Sequence, residues 1–226
     1  MIYVTGDTHI PHDIAKLHPE LFPQQERMCK DDYVIICGDF GGVWNGGAEE
    51  KFWLKWLSER NFTTLFVDGN HENFALLGAY PTEEFCGGKV HKIADGVYHL
   101  MRGEIYVIND TKIFAMGGAA SHDIQYRIEG RSWWREEMPS DAEYENAAAN
   151  LTKHSRAVDY IITHCCPDSV QDGINPAYTH DKLTNFLERA VKADCQYKKW
   201  FFAHYHEDID VDEKHICLYR RIIKIV

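Results

Sequence analysis

Asp7-Thr8-His9, Gly38-Asp39, Gly69-Asn70-His71-Glu72, His164 and His204-Tyr205-His206 are the residues of this 226-residue chain best suited to chemistry. Carboxylate and amide oxygens and neutral imidazole nitrogens are ligands for divalent ions such as Mn, Fe and Zn. In an extended segment, residues two apart point the same way, so Asp7 with His9 and His204 with His206 each form a pair on one side. One such pair arises easily by chance, and an isolated His at a strand end is more often a satisfied polar side chain. Five groups in register with five strand exits are another matter.

Short β-branched or aromatic runs predict strands over 2–5, 33–37, 63–67, 112–116, 160–163, 199–203 and 222–226. Helical patterns fall between them, over 19–29, 48–60, 140–155 and 178–192. Ser140 with Glu143 reads as a capping box. Phe52, Trp53, Trp56 and Leu57 recur at helical spacing and are expected to form a core-facing stripe. The middle, 89–116, has closer-spaced strands and is expected to add antiparallel pairing. Strands alternating with helices predict an α/β layered fold, two packed sheets flanked by helices. In such folds ligands bind beyond the carboxyl ends of the strands, which is where the five groups stand.

Composition narrows the function classes. At 45% hydrophobic and 26% charged, the chain is ordinary for a globular protein, and no linker or repeat divides it. A single domain over 1–226 is expected. The net charge of −11 repels polyanions, so binding to long nucleic acid is disfavoured. No apolar run reaches membrane-spanning length, and the N-terminus reads as a strand rather than a signal peptide. Seven cysteines without regular spacing fit reduced thiols and a cytoplasmic location.

The full pattern resembles the calcineurin-like metallophosphoesterases: Asp-x-His, Gly-Asp, Gly-Asn-His-(Glu/Asp), a lone His, then Gly-His-x-His, in order from Asp7 to His206. The resemblance implies a βαβαβ two-sheet sandwich and two divalent metal ions, manganese first, with Fe, Zn, Ni or Co as alternatives. Asp7, His9, Asp39 and His206 would hold one ion, and Asp39, Asn70, His164 and His204 the other, with Asp39 bridging. A hydroxide bridging the two ions would attack the phosphorus, and His71 would serve the leaving oxygen as a catalytic proton donor.

The pattern also breaks. Protein phosphatases of this family read Gly-Asp-x-x-Asp-Arg-Gly, whereas Gly42 and Val43 stand here in place of the Asp and Arg. That disfavours a protein phosphatase and leaves substrate binding to other residues. The expected candidate is an insertion at 119–139, where Arg127 and Arg131 could grip phosphate and Trp133 or Trp134 could stack on a base. The plainer alternative is that a Trp packs inward and the arginines pair with Glu129, Glu136 or Glu137. Ala203 replaces the usual Gly before His204, a small crowding of a tight loop. His12 and Asp13 are either groups that orient ligands or part of a solvated loop. The expected substrate is a small phosphorylated molecule, with a nucleotide-type phosphodiester or phosphoanhydride favoured. A phosphomonoesterase and a non-catalytic metal-binding scaffold are the alternatives, and oligomeric state is not readable.

Overall fold

The strand runs are apolar on both faces, so each sheet must be covered twice. In the computed structural model, which describes residues 1–226, β1 (Ile2–Thr5), β2 (Tyr33–Ile36) and β3 (Thr63–Phe66) lie parallel and adjacent. β4 (Thr82–Phe85), β5 (Gly88–Ala94) and β6 (Val97–Leu100) extend this sheet, β6 parallel to β3 and the others antiparallel in turn. β7 (Glu104–Ile108) and β8 (Thr111–Met116) begin a second sheet with β9 (Tyr160–Thr163) and β10 (Lys199–Phe202). β11 (Ile209–Asp210) and β12 (His215–Cys217) complete it, and β13 (Ile222–Lys224) returns to pair antiparallel with β1. The orders are β13-β1-β2-β3-β6-β5-β4 and β11-β12-β10-β9-β8-β7.

Period-two alternation assigns the faces. Ile2, Val4, Ile35 and Leu65 meet Ile113, Ala115, Ile162 and Phe201 in the core between the sheets. Tyr3, Val34, Ile36 and Phe66 point the other way, under helix α1 (Ala48–Ser58). α2 (Phe74–Leu77) follows β3. α3 (Asp141–Lys153), α4 (Asp168–Ile174) and α5 (Lys182–Phe186) cover the outer face of the second sheet, over Phe114, Ile161, Trp200 and Phe202. The expected two-sheet α/β sandwich with helices on both outer faces is the architecture found. No helix is long and apolar enough to cross a membrane.

Three local expectations need correction. Residues 19–29 form no α-helix; prolines 19 and 23 leave only a 3-10 turn at Pro23–Arg27, after another at Ile14–Leu17. The stretch 178–192 starts later, because Asp181 caps the backbone N–H groups of Leu183 and Thr184, and it runs on as a π-helical stretch from Leu187 to Lys192. In α1 the stripe is narrower than expected: Leu57 is buried, Trp53 and Trp56 are half-buried, and Phe52 is 59% exposed. Four residues spread over two flanks of a helix cannot all reach one core. The Ser140 capping box is present as read.

One buried ion pair ties the β3 exit to the segment 119–139. Arg102 donates through Nε (2.8 Å) and Nη2 (2.5 Å) to Asp68 Oδ2, and Nη2 also reaches the carbonyls of Glu136 and Glu137. His99 Nε2 lies 2.9 Å from the other oxygen of Asp68. Glu137 is 1% exposed; its Oε2 accepts from the Ser121 N–H, and its Oε1 has no partner. Burial pushes the Glu137 carboxyl up to about 7.

Arg102→Met strands the Asp68 carboxylate in the interior and is expected to cost about 3–5 kcal/mol in urea unfolding. Breaking the exposed Lys55–Glu59 pair should cost little; equal losses would show that the Arg102 pair carries no special weight. Glu137 binds its proton more tightly folded than unfolded, so it costs stability as pH rises from about 4.5 to about 7. Glu137→Gln should therefore gain stability over the native chain above pH 7, on the order of 1–3 kcal/mol, and lose that advantage near pH 4. Urea midpoints across this range check it.

Candidate metal centre

Parallel strands present their carboxyl ends at one edge. β1 delivers Asp7 there, β2 delivers Asp39 and β3 delivers Asn70 and His71; β9 and β10 bring His164 and His204 from the facing sheet. Glycines let these exits close on each other. A Cβ on Gly38 would meet the His164 ring at 2.2 Å, and one on Gly69 would meet Asp39 Oδ1 at 2.0 Å. His9, Asp39, His204 and His206 all hold left-handed backbone, with φ of 33°, 43°, 71° and 53°. Non-glycine residues adopt that region at a cost, and such residues gather where side chains must be aimed. Ala203 keeps ordinary φ because the left-handed turn falls on His204, so the missing glycine is accommodated.

Asp7, His9, Asp39 and His206 each offer one ligand atom, and these atoms lie within 4.8 Å of one another. Asp39 faces two groups at once. Its Oδ2 is 3.2 Å from His9 Nε2, and its Oδ1 is 3.4 Å from His164 Nε2. Nearby, His164 Nε2 is also 3.2 Å from Asn70 Oδ1. The Asn70 amide is oriented by its Nδ2, which donates to Ser121 Oγ at 3.1 Å. His206 Nε2 is 3.3 Å from Asp7 Oδ2, a buried oxygen that makes no hydrogen bond. The His204 ring lies edge-on to His164, centroids 4.9 Å apart.

Ring hydrogen bonds fix which nitrogens face inward. His164 Nδ1 donates to the Cys37 carbonyl at 2.8 Å and His9 Nδ1 to Asp13 Oδ2 at 2.9 Å, leaving each Nε2 directed at Asp39. Outer hydrogen bonds of this kind orient imidazole ligands in metal sites. The charge balance points the same way. Burial opposes a proton on His164, yet Asp39 and Asp7 hold its pKa up at about 9. Burial likewise opposes charge on His9, but Asp39, Asp7 and Asp13 raise it. Burial and the neighbouring imidazoles drop His204 to about 3. Two buried carboxylates and an orphaned carboxylate oxygen require positive charge between them, and an oxygen–nitrogen donor set suits a divalent cation.

Several supporting residues escaped sequence reasoning. Tyr219 donates from its hydroxyl to Asp13 Oδ1 (3.1 Å) and stacks on His206 at 5.0 Å. Lys16 donates to the carbonyls of Gly6, Asp7 and Tyr219, clamping the first loop to the last; burial pushes its ammonium down to about 8. Glu72, singled out in the sequence within Gly69-Asn70-His71-Glu72 but given no role there, is fully buried, accepts from the Phe40 N–H at 2.7 Å and so braces the loop carrying Asp39. Asp13, left open as ligand-orienting or solvated, is bonded to His9.

His71 donates its backbone N–H to Asp39 Oδ1 at 2.8 Å, and its ring stands 5.7 Å from that of His9. Val43 is buried in the core and Gly42 abuts the Phe40 ring, so neither position offers a group to orient His71. Among the expected substrate contacts, Arg127 is held by Asp123 (2.7 Å) and the Ser132 carbonyl. Its charge still acts on His71, whose pKa burial and Arg127 lower against the pull of Asp39. Arg131 is exposed and Trp133 half-buried. Trp134 is not an open stacking face: it is 5% exposed, with its ring edge-on to Trp44 at 5.3 Å. Glu129 pairs with Arg135 instead.

The sequence of residues 1–208 fits the family model of calcineurin-like phosphoesterases. None of the curated proteins matches it. With that match over most of the chain, and an oxygen–nitrogen donor cluster built on two buried carboxylates at the strand exits, the protein belongs to the calcineurin-like phosphoesterase family, enzymes that hydrolyse phosphoric esters with divalent metal ions.

Proposed function

We propose that Asp7, His9, Asp39 and His206 hold one divalent cation and that Asp39, Asn70, His164 and His204 hold a second, with manganese the first ion to test. The observation that carries this reading is Asp39, whose two oxygens face His9 on one side and His164 on the other. Two such ions would clamp the phosphoryl oxygens and acidify the attacking water. The protein's own part is positional. Asp13, Tyr219 and the Cys37 carbonyl hold the imidazoles in the tautomers that face inward. His71, half-buried beside the cluster and engaged only through its backbone, is free to place a ring N–H against the leaving oxygen. The substrate is a small phosphate ester or anhydride, of nucleotide type, and the chain acts as one domain. Seven free thiols support work in a reducing, cytoplasmic setting.

Chelation should abolish hydrolysis and Mn²⁺ restore it. Asp39→Asn should lower the metal-to-protein ratio at both positions, whereas Asp7→Asn mainly empties one. Loss of a single ion in both variants, read by elemental analysis, would remove the bridging assignment.

His71→Asn should keep its metals and lose about 10²–10⁴-fold in kcat on alkyl esters. A p-nitrophenolate leaving group needs little protonation, so the loss there should be smaller. The same loss on both substrates would argue against proton donation.

A further inference from the structure

A cavity of about 320 Å³ opens off the cluster on the side of His71 and His9. It is lined by Trp44 and Asn45 from the loop between β2 and α1, by Glu49 from the first turn of α1, and by His12. The loop is held rigidly. Glu50, itself buried, accepts from the N–H groups of Asn45 (2.5 Å) and Gly46 (2.8 Å), and Asn45 Oδ1 accepts from Gly47 N–H (2.7 Å). Asn73 Nδ2 donates to the Trp44 carbonyl at 2.7 Å, and the buried Trp134 ring fixes the Trp44 ring from behind. A preorganised aromatic wall of this size is built to take part of a ligand, since small-molecule sites begin near 300 Å³.

The charge of the lining is informative. Its ten residues include two glutamates and neither lysine nor arginine. Glu50 is engaged with its loop, while Glu49 is exposed and carries its charge at the rim. A second phosphate placed here would meet a carboxylate and no lysine or arginine of the lining. The position of the cavity decides which half of the substrate it receives. On the reading that His71 serves the leaving oxygen, whatever that oxygen carries extends from His71 toward Trp44.

We propose that the cavity between His71 and Trp44 is the leaving-group subsite, and that it takes an uncharged, ring-bearing alcohol, the size of a nucleoside or aryl alcohol. Trp44 supplies the flat face and Glu49 turns away leaving groups that bear further phosphates. The enzyme therefore cleaves phosphate esters in which the departing half is neutral, and not the anhydride of a nucleoside di- or triphosphate.

Steady-state kinetics of the Mn²⁺-loaded enzyme test this with three probes: p-nitrophenyl phosphate, bis(p-nitrophenyl) phosphate and adenosine diphosphate. The expected native preference in kcat/KM is for at least one p-nitrophenyl ester over the diphosphate. Trp44→Ala should raise KM for that ester about tenfold, with Trp44→Phe recovering most of the loss. Glu49→Lys, on an exposed helix turn where folding is secure, should raise the diphosphate-to-ester ratio of kcat/KM about tenfold. Titration with adenosine, which carries no phosphate, should quench native tryptophan fluorescence and fail to do so in Trp44→Ala. A response to p-nitrophenol but not to adenosine would assign the aryl alcohol as the occupant. A native preference for the diphosphate, or an unchanged ratio in Glu49→Lys, overturns the proposal. Absence of hydrolysis of every probe would instead overturn the function proposed above; the adenosine and p-nitrophenol titrations then decide the subsite, and no response to either overturns it.

Discussion

Two carboxylates with almost no access to water, Asp7 and Asp39, sit at the ends of adjacent parallel strands, and the rest of the site answers their charge. Buried anions are tolerated only with positive charge or hydrogen bonds around them. Here the surroundings are imidazoles, those of His9 and His164 with their outer nitrogens already engaged, together with one amide turned oxygen-inward by Ser121. The left-handed backbone at four of these residues is the conformational cost of aiming so many donors at one point. Without the carboxylates, neither that backbone nor the glycines at 38 and 69 would have a reason to persist.

Rigidity around the cluster comes from contacts that join distant parts of the chain. Lys16 and Tyr219 lock the first loop against the last, more than two hundred residues away. Glu72 spans from the third strand exit to the second. The Asp68–Arg102–His99 group anchors the base of the Asn70–His71 loop and, through the carbonyls of Glu136 and Glu137, the end of the segment 119–139. These are bonds between buried or half-buried polar groups, which specify one arrangement because any other leaves polar groups unpaired.

The chain carries Gly42 and Val43 where the protein-phosphatase pattern has Asp and Arg, and the structure puts apolar packing in that place. Val43 is core, and the next residue, Trp44, emerges to wall the cavity beside His71. A loop that gripped anionic phosphate in those relatives here offers an aromatic face and a carboxylate. The segment 119–139 contributes to this wall at second hand, through Trp134 behind Trp44, and to the donor cluster through Ser121 on Asn70.

The sequence by itself determined the layered α/β fold and the order in which the candidate donor groups leave the strands. Short β-branched and aromatic runs mark seven of the thirteen strands to within two residues, and a donor directly after a run emerges at a sheet edge. Helix 19–29 misled because hydrophobic spacing does not register what two prolines do to backbone hydrogen bonds. What only the tertiary structure decided is the identity of partners. Arg127 and Trp134 were legible as a cation and an aromatic, but whether each met ligand or protein depended on Asp123 and Trp44. Asp68, Arg102, Lys16 and Tyr219 left no local signal at all, because a buried polar bond between residues far apart in sequence is fixed by packing, and residue type and periodicity carry only the burial and the direction of each side chain.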